Sequence, residues 1–195
     1  MKITHINAAG LSESQLAEWL LEADEDKRQE IRRMQRADKR NLRTAADHLC
    51  RAAIAEALGI SPAEVSIRKG EHGKPCTDGV EFNLSHSGDI AVCAVADKPV
   101  GIDIEAVRDI RPAVAKRFAS SAELEYIGED MRRLFEIWTL KEAYFKCVGT
   151  GIGSDIANVT FTVDGGDIRC SEPGFGCKFV SIAPGYVCSV CVKEN

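Results

Sequence analysis

Apolar residues recur at helical spacing over residues 131–148, and this pattern predicts the last helix of the chain. The residues of the stripe are Leu134, Trp138, Phe145 and Val148. Glu142 falls in the same stripe, one turn after Trp138. A carboxylate on a face that packs against a core is costly unless a cation compensates its charge. That cation is either Lys146, four residues further along the helix, or a bound metal ion.

A second informative pattern lies at residues 100–105, where apolar and acidic side chains alternate and predict a strand. Ile102 and Ile104 share one face of this strand. Asp103 and Glu105 share the other face. Two carboxylates on one face repel each other, and a hard divalent cation relieves the repulsion. An edge strand whose acidic residues lie in water would show the same alternation.

The rest of the chain mixes helices and strands in both of its halves. A capping box at Ser12 opens one predicted helix, and a second runs over residues 38–58, where Gly59 ends it. Strands are predicted at residues 2–6, 65–68, 82–85, 90–96, 157–163, 178–182 and 186–192. A break at Asp97-Lys98-Pro99 divides the chain into residues 1–98 and 99–195. The expected class is therefore α+β with two subdomains.

Charge is spread unevenly along the chain, although the composition is that of an ordinary globular protein. The net charge of −5 argues against a general nucleic-acid binder. Residues 27–51, however, hold nine Lys or Arg against three Asp or Glu. Basic side chains recur there at helical spacing, namely Arg36, Lys39 or Arg40, and Arg43. Such a run is either a solvated helix face or a clamp for phosphate groups.

The cysteines and the first residues of the sequence indicate the expected cellular compartment. No apolar run is long enough to cross a bilayer, and residues 1–5 are not followed by a signal-type apolar core, so no membrane association is expected. The expected compartment is the cytoplasm, where the eight cysteines would stay reduced. Cys188 and Cys191 have a zinc-type spacing, but residues three apart in a strand face opposite sides. Buried thiols are therefore expected instead of a zinc site.

The acidic and basic patterns combine into one candidate site. Asp103, Glu105 and Glu142 supply three carboxylates for one cation. Ligation by oxygen alone favours Mg²⁺ over Zn²⁺. The basic segment, together with Lys74 and His86, offers contacts for phosphate groups. A phosphate-bearing substrate at a magnesium site is therefore expected, and phosphoryl-type transfer or pyrophosphate cleavage is the matching chemistry.

Four motifs together resemble those of the 4′-phosphopantetheinyl transferase superfamily. They are Gly73-Lys74-Pro75, Phe82-Asn83-Leu84-Ser85-His86-Ser87, Gly101-Ile102-Asp103-Ile104-Glu105, and Trp138-Thr139-Leu140-Lys141-Glu142-Ala143 with Lys146 and Gly149-Thr150-Gly151. They come in the family's order, and the resemblance spans roughly residues 20–155. The length of the chain and its second motif resemble those of the Sfp-type, pseudo-dimeric branch of the family. That resemblance implies two similar α/β subdomains related by pseudo-two-fold symmetry.

The resemblance also implies the reaction and the residue roles. The reaction would move 4′-phosphopantetheine from coenzyme A to a serine of an apo acyl, peptidyl or aryl carrier protein, releasing 3′,5′-ADP. Asp103, Glu105 and Glu142 would hold Mg²⁺, and Glu142 would be either a ligand alone or also the base for the serine. Lys146 would stabilise charge on the pyrophosphate, and Lys141 would support the same site. The nucleotide end of coenzyme A would be contacted by Arg43, Lys74, Ser85 and His86, with Arg28 and Arg36 as further candidates.

Partners and competing functions complete the expectations. By resemblance the chain would act as a monomer. An acidic carrier protein would dock near residues 108–126, guided by Arg108, Arg111, Lys116 and Arg117. The first alternative is a Mg²⁺-dependent hydrolase of a nucleotide pyrophosphate such as coenzyme A. The second is a non-catalytic module that binds coenzyme A or a carrier protein, but a binder has little need of three carboxylates and Lys146.

Overall fold

The computed structural model describes residues 1–70, 73–151 and 153–194. Five α-helices lie in these ranges: α1 (Glu13–Glu22), α2 (Glu25–Arg32), α3 (Ala37–Leu58), α4 (Ser121–Ile127) and α5 (Met131–Val148). Gly59 (φ 69°) ends α3, and Gly149 (φ 87°) ends α5. Asp130 caps the start of α5, where its carboxylate accepts from the backbone N–H groups of Arg132 and Arg133. Both long helices therefore end where the sequence predicts.

The strands of the described residues form two three-stranded sheets and two short ribbons. In chain order they are β1 (Lys2–Asn7), β2 (Arg68–Lys69), β3 (Pro75–Cys76), β4 (Glu81–Ser87), β5 (Ile90–Ala96), β6 (Val100–Ala106), β7 (Phe161–Asp164), β8 (Asp167–Cys170), β9 (Phe175–Phe179) and β10 (Tyr186–Lys193). The first sheet has the order β1-β5-β4, and the second has the order β6-β10-β9. β2 pairs with β3 and β7 with β8, and all of these pairings are antiparallel.

The two sheets belong to halves of the same topology. Each half begins with an edge strand, β1 or β6, and continues through helices of which the last is long, α3 or α5. A two-stranded ribbon follows, and each half ends with a hairpin whose second strand takes the centre of the sheet. The predicted α+β class with two similar subdomains is confirmed. Sequence identity alone does not reveal this internal repeat.

The sheets lie face to face between the two long helices. Apolar side chains of β5, β6 and β10 meet between the sheets, among them Val92, Ile102 and Val190. The opposite face of β5, with Cys93 and Val95, packs against α3. α5 covers the outer face of the second sheet. All seven residues of β5 are buried because both faces of the strand are covered, which agrees with its continuously apolar sequence.

Three sequence expectations need correction in the second half, two about strand positions and one about the cysteines. The strand predicted at residues 178–182 lies at Phe175–Phe179, and the one predicted at residues 157–163 begins only at Phe161. Cys177 and Cys191 are opposite each other on β9 and β10, with Cα atoms 4.2 Å apart, and form a disulfide. The expectation that all eight cysteines are reduced is therefore wrong for this pair. Cys188 lies on the other face of β10 from Cys191, as its spacing predicts.

Crossing a bilayer needs a helix that is both long and strongly apolar, and none of the helices in the described ranges meets that requirement.

Gly101 sets how closely α5 approaches β6. A Cβ atom at this position would overlap the backbone of Ala143 and Cys147 in the helix. Backbone atoms cannot move aside as the end of a flexible side chain can. The absence of a side chain here therefore lets α5 lie directly on the strand that carries Asp103 and Glu105.

We expect Gly101→Ala to lower the free energy of unfolding by about 3 kcal/mol or more, because the new methyl group forces the helix away from the strand. Urea denaturation measures the loss. Gly10→Ala is the matched control, since a Cβ there has open space around it. Equal stability of the two variants would contradict the close packing.

Candidate active site

The site lies where the edge strands of the two sheets run side by side. β4 and β6 belong to different sheets, and polar side chains of β4 bond to backbone N–H groups of β6. Ile102 N donates to Asn83 Oδ1 (2.9 Å), Ile104 N to Ser85 Oγ (3.4 Å) and Ala106 N to Ser87 Oγ (3.1 Å). Alternate residues of both strands take part because each strand repeats every two residues. We call these three bonds the β4–β6 ladder.

Asp103 is the most buried carboxylate of the site, with 5% of its surface exposed. Its Oδ1 atom accepts hydrogen bonds from Ser85 Oγ (2.7 Å) and Lys146 Nζ (2.6 Å). Burial raises the pKa of Asp103, and Lys146 opposes that rise. Its Oδ2 atom is buried and has no hydrogen-bond partner in the described part of the chain. A buried oxygen without a partner is the feature expected of an atom that ligates a cation.

Glu105 lies two residues further along β6 and has a similar arrangement. Its Oε2 atom accepts from Ser87 Oγ (2.7 Å) and from Arg108 Nη1 (3.0 Å). Arg108 also stacks over the ring of Phe135, with its guanidinium carbon 5.1 Å from the ring centre. Each acidic residue of β6 therefore receives one serine hydroxyl from β4 and one cationic group.

Glu142 is half-buried on the side of α5 that faces these carboxylates. The pKa of Glu142 is raised to about 7. Burial is the largest cause, and the charges of Asp103 and, to a smaller extent, Glu105 add to it. The charge of Lys146 opposes the rise. Repulsion among the carboxylates favours a further positive charge beside Glu142, because Lys146 is bonded to Asp103 and Arg108 to Glu105. The three carboxylates therefore lie near enough for their charges to interact, and the role of metal ligands predicted for them stays a prediction.

These residues fit a divalent cation, although they are not arranged as a finished coordination sphere. Across residues 1–70, 73–151 and 153–194, no group of three His, Cys, Asp or Glu side chains converges closely enough to hold a metal ion. Lys146 instead occupies Oδ1 of Asp103. The unpartnered Oδ2 of Asp103, the repulsion felt by Glu142 and the all-oxygen donor set are the properties that a magnesium ion would satisfy.

Basic groups gather beside the carboxylates. Arg43 of α3 reaches His86 of β4, with 3.4 Å between Nη1 and Nε2. The protein atoms packed around the His86 ring lower its pKa, and the charges of Arg43, Lys146 and Lys39 add to the effect. Four groups that can carry positive charge therefore lie near one another at the junction of the halves. An anion bound among them would relieve their repulsion.

Other predicted nucleotide contacts have different partners. Arg28 pairs with Glu25 and donates to the carbonyl of Leu21. Arg36 is exposed and pairs with Asp38. Both arginines bond to groups that are close to them in the sequence. These bonds hold neither guanidinium group at the carboxylate site.

Lys74 and Ser85 are also placed differently from the expectation. The Lys74 ammonium group donates to the carbonyl of Cys147 (3.2 Å), in the last turn of α5, where a cation is favourable. Ser85 gives its single proton to Asp103 and accepts from Ile104 N and from Lys146 Nζ (3.1 Å). A hydroxyl has one donor and two acceptor sites, so the Ser85 hydroxyl has none left for a phosphate group. Both residues therefore bond to other protein groups around the site: Lys74 to the end of α5, and Ser85 to Asp103 and Lys146.

Lys141 corrects the expectation that it supports the same site as Glu142. Its side chain is fully buried and forms an ion pair with the buried Glu123 of α4, at 3.0 Å. It also donates to the carbonyls of Ile156 (3.0 Å) and Val159 (2.5 Å). The second Glu123 oxygen accepts from the backbone N–H of Phe161 (2.8 Å). Lys141 thus joins α5 to α4 and to the segment before β7, away from the carboxylates.

Sequence reasoning missed Asn83 and Ser87, and it assigned Arg108 only to docking. The signal for the first two was available, since Asn83, Ser85 and Ser87 alternate along one strand just as Asp103 and Glu105 do. What the alternation did not show is that the two strands lie side by side.

Comparisons with known proteins identify the family. The model of the 4′-phosphopantetheinyl transferase superfamily matches residues 99–191, and a model of the N-terminal part of 4′-phosphopantetheinyl transferases matches residues 11–98. A 4′-phosphopantetheinyl transferase of Bacillus pumilus is 33% identical over 159 residues, which cover 75% of this chain and 68% of the relative. This chain therefore belongs to the 4′-phosphopantetheinyl transferase superfamily. Its two consecutive matches and its duplicated fold assign it to the Sfp-type, pseudo-dimeric branch.

Two further similarities cover less of this chain. A 4′-phosphopantetheinyl transferase of Bacillus subtilis is 35% identical over 135 residues, and the match spans 65% of this chain but only 60% of the relative. The crystal structure of Helicobacter pylori holo-[acyl-carrier-protein] synthase in complex with coenzyme A gives a TM-score of 0.41 at 20% identity, over 49% of this chain and 99% of the synthase.

We expect Lys141→Met to lower the free energy of unfolding by about 3 kcal/mol, because it leaves Glu123 as a buried charge without its partner. A second change, Glu123→Gln, should recover part of the loss. Urea denaturation of the single and double variants measures both effects. Lys178→Met, at an exposed position of β9, is the control and should change stability by less than about 0.5 kcal/mol. An unchanged stability combined with weakened coenzyme A binding would show that Lys141 serves the substrate instead.

Proposed function

We propose that this chain transfers 4′-phosphopantetheine from coenzyme A to a serine hydroxyl of an apo carrier protein, with Mg²⁺ as the metal. The observation that carries the proposal is the cluster of Asp103, Glu105, Glu142 and Lys146 at the junction of two duplicated halves. In the reaction, the serine oxygen bonds to the phosphorus that bears pantetheine. The bond from that phosphorus to the bridging oxygen breaks, and 3′,5′-ADP leaves with the electron pair.

The acidic residues divide the work between holding charge and moving a proton. Asp103, Glu105 and Glu142 would hold the magnesium ion, which supplies positive charge to the pyrophosphate oxygens when it is bound. Glu142 is the one of the three carboxylates that lies on α5, and burial together with the charge of Asp103 raises its pKa to about 7, which favours a positive partner or a proton beside it. We propose that Glu142 also accepts the serine proton, either directly or through a water molecule.

Lys146 is the cation that the pyrophosphate would meet. Its ammonium group contacts Asp103, Ser85 and the carbonyl of Ile102 (3.3 Å), so three bonds aim it into the junction. These bonds use all three of its N–H donors, so Lys146 would exchange one of them for a pyrophosphate oxygen when coenzyme A binds. We propose that Lys146 stabilises the charge on the leaving phosphate.

The nucleotide end of coenzyme A would lie against the first half of the chain. Arg43 and His86 face each other there, and Lys39 lies nearby, so two charged side chains accompany a histidine whose pKa is lowered. These groups suit the 3′-phosphate of coenzyme A. We therefore propose residues 1–98 as the part that binds the nucleotide and residues 99–195 as the part that carries the metal and the chemistry. Because both halves lie in one chain, we also propose that it acts as a monomer.

A direct test uses coenzyme A, Mg²⁺ and a panel of apo acyl, peptidyl and aryl carrier proteins, read by intact mass. We expect a carrier to gain one phosphopantetheine group. Glu142→Gln, which keeps the shape and removes the charge, should lower the rate by about 100-fold or more, because it removes both a metal ligand and a base. Asp164→Asn, an exposed change on the ribbon strand β7, is the control and should keep the normal rate.

Two results would contradict this function. Release of free phosphopantetheine without a modified carrier would identify a hydrolase of coenzyme A. No adduct on any carrier, with coenzyme A bound but intact, would identify a binding module. A normal rate for Glu142→Gln would remove both roles proposed for that residue.

We further propose that the carrier protein docks at the 3₁₀ turn Pro112–Arg117. Arg111, Lys116 and Arg117 are exposed on this turn, and Val114 lies among them with 37% of its surface exposed. An apolar residue surrounded by positive charge suits a carrier whose modified serine is flanked by acidic residues. Arg108 links this surface to the site through its bond to Glu105.

Reversal of two of these charges, Arg111→Glu with Lys116→Glu, should raise the KM for the carrier protein by about tenfold and leave the KM for coenzyme A unchanged, because it converts attraction into repulsion at the docking surface only. The rise should diminish as salt is added. Lys178→Glu with Lys193→Glu makes the same change of net charge at the far end of the second sheet and serves as the control. An equal rise in the control pair would show that only net charge matters.

A further inference from the structure

Ser87 takes no part in the chemistry proposed above, yet it is held against Glu105 as Ser85 is held against Asp103. Its hydroxyl accepts from the backbone N–H of Ala106 (3.1 Å) and donates to Glu105 Oε2 (2.7 Å). A hydroxyl has one proton to give, so this donor is committed to the carboxylate. The bond crosses from the first half of the molecule to the second.

The two serine contacts repeat because the two strands share a period. Ser85 and Ser87 are two residues apart on β4, and Asp103 and Glu105 are two residues apart on β6. In each pair the serine bonds one carboxylate oxygen. The second oxygen accepts no hydrogen bond from the described residues. A bond to one oxygen restricts rotation of the carboxyl group and thereby fixes the direction of the other.

We propose that Ser87 is a positioning residue that orients Glu105 toward the metal, so that the first half of the chain sets the coordination geometry of a site formed by the second half. This inference rests on the proposed function, since it takes Glu105 as a ligand of Mg²⁺. Hydrogen bonds from neighbouring groups commonly fix the orientation of metal ligands, and their loss weakens metal binding.

Arg108 cannot replace Ser87 in this role. The Arg108 side chain is 55% exposed, and although the Ala106 carbonyl (3.0 Å) and the Phe135 ring hold it, it reaches Glu105 through a long side chain with several rotatable bonds. Ser87 has one rotatable side-chain bond before its hydroxyl, and its oxygen is itself fixed by the Ala106 N–H group. Arg108 therefore places a positive charge beside Glu105, whereas Ser87 fixes the orientation of the Glu105 carboxylate.

The competing explanation is that Ser87 only fastens β4 to β6, and Asn83 allows the two to be separated. Asn83 belongs to the same β4–β6 ladder and accepts from the Ile102 N–H group at 2.9 Å. Its carboxamide bonds to no carboxylate in the described residues. A change at Asn83 therefore loosens the ladder without altering the bonds to Asp103 and Glu105.

The test measures metal binding directly. Mn²⁺ is titrated into the full chain in the presence of coenzyme A, and free Mn²⁺ is followed by electron paramagnetic resonance. Ser87→Ala should raise the Kd for Mn²⁺ by about tenfold and raise the KM for Mg²⁺ in the transfer assay by a similar factor. Ser87→Thr restores the hydroxyl and should recover most of the affinity. Asn83→Ala should lower the melting temperature but keep the Kd near that of the unaltered chain.

Each outcome separates the two proposals. Normal Mn²⁺ binding by Ser87→Ala would overturn the role of Ser87 and leave the proposed function standing. An equal loss of affinity in Asn83→Ala would also overturn it, because loosening of the strands would then be sufficient. Absence of Mn²⁺ binding by the unaltered chain would contradict the metal site itself, and with it both the proposed function and this inference.

Discussion

The rest of the site depends on one electrostatic constraint, which is the burial of Asp103 next to two other carboxylates. A buried carboxylate is stable only when hydrogen bonds and positive charge compensate the loss of water. Here the hydrogen bond comes from Ser85 of the first half, and the positive charge comes from Lys146 of α5. Neither sheet alone supplies both. The site therefore exists only where the two halves meet, and its charges make that junction specific.

The duplicated topology explains how such a junction arises. The strand at the border of each sheet has a neighbour on one side only, so it exposes backbone groups without partners on the other side. β4 and β6 bring two such edges together, and side chains of β4 take the place that the backbone of a paired strand would have. A single serine hydroxyl accepts from a backbone N–H of β6 and donates to an acidic side chain of the same strand. The β4–β6 ladder thus gives the exposed N–H groups of the β6 edge their partners and places two serine hydroxyls against the carboxylates of that strand.

The sequence predicts well which side chains share a face of a helix or strand, but it predicts poorly which residues those side chains contact. Periodicity correctly located α5 and β6, and it showed that Asp103 and Glu105 share one side of their strand. It also predicted the helix end at Gly149. The partner of Lys141 could not be predicted, because Glu123 lies on another helix and no local pattern connects the two residues. The same limit applies to Lys74 and Cys147, and to the Cys177–Cys191 disulfide. A period shows which side chains share a face, but only the folded chain shows what covers it.

The neighbours Lys141 and Glu142 show how a short motif can serve stability and chemistry together. Consecutive residues of an α-helix point about 100° apart, so two adjacent charges face different surroundings. Lys141 is tied to Glu123, to two backbone carbonyls and thereby to the segment before β7. Those bonds prevent α5 from rotating about its axis. Because Glu142 is the next residue, its direction toward Asp103 depends on that restraint. The buried ion pair thus helps to hold the face of α5 that carries Glu142.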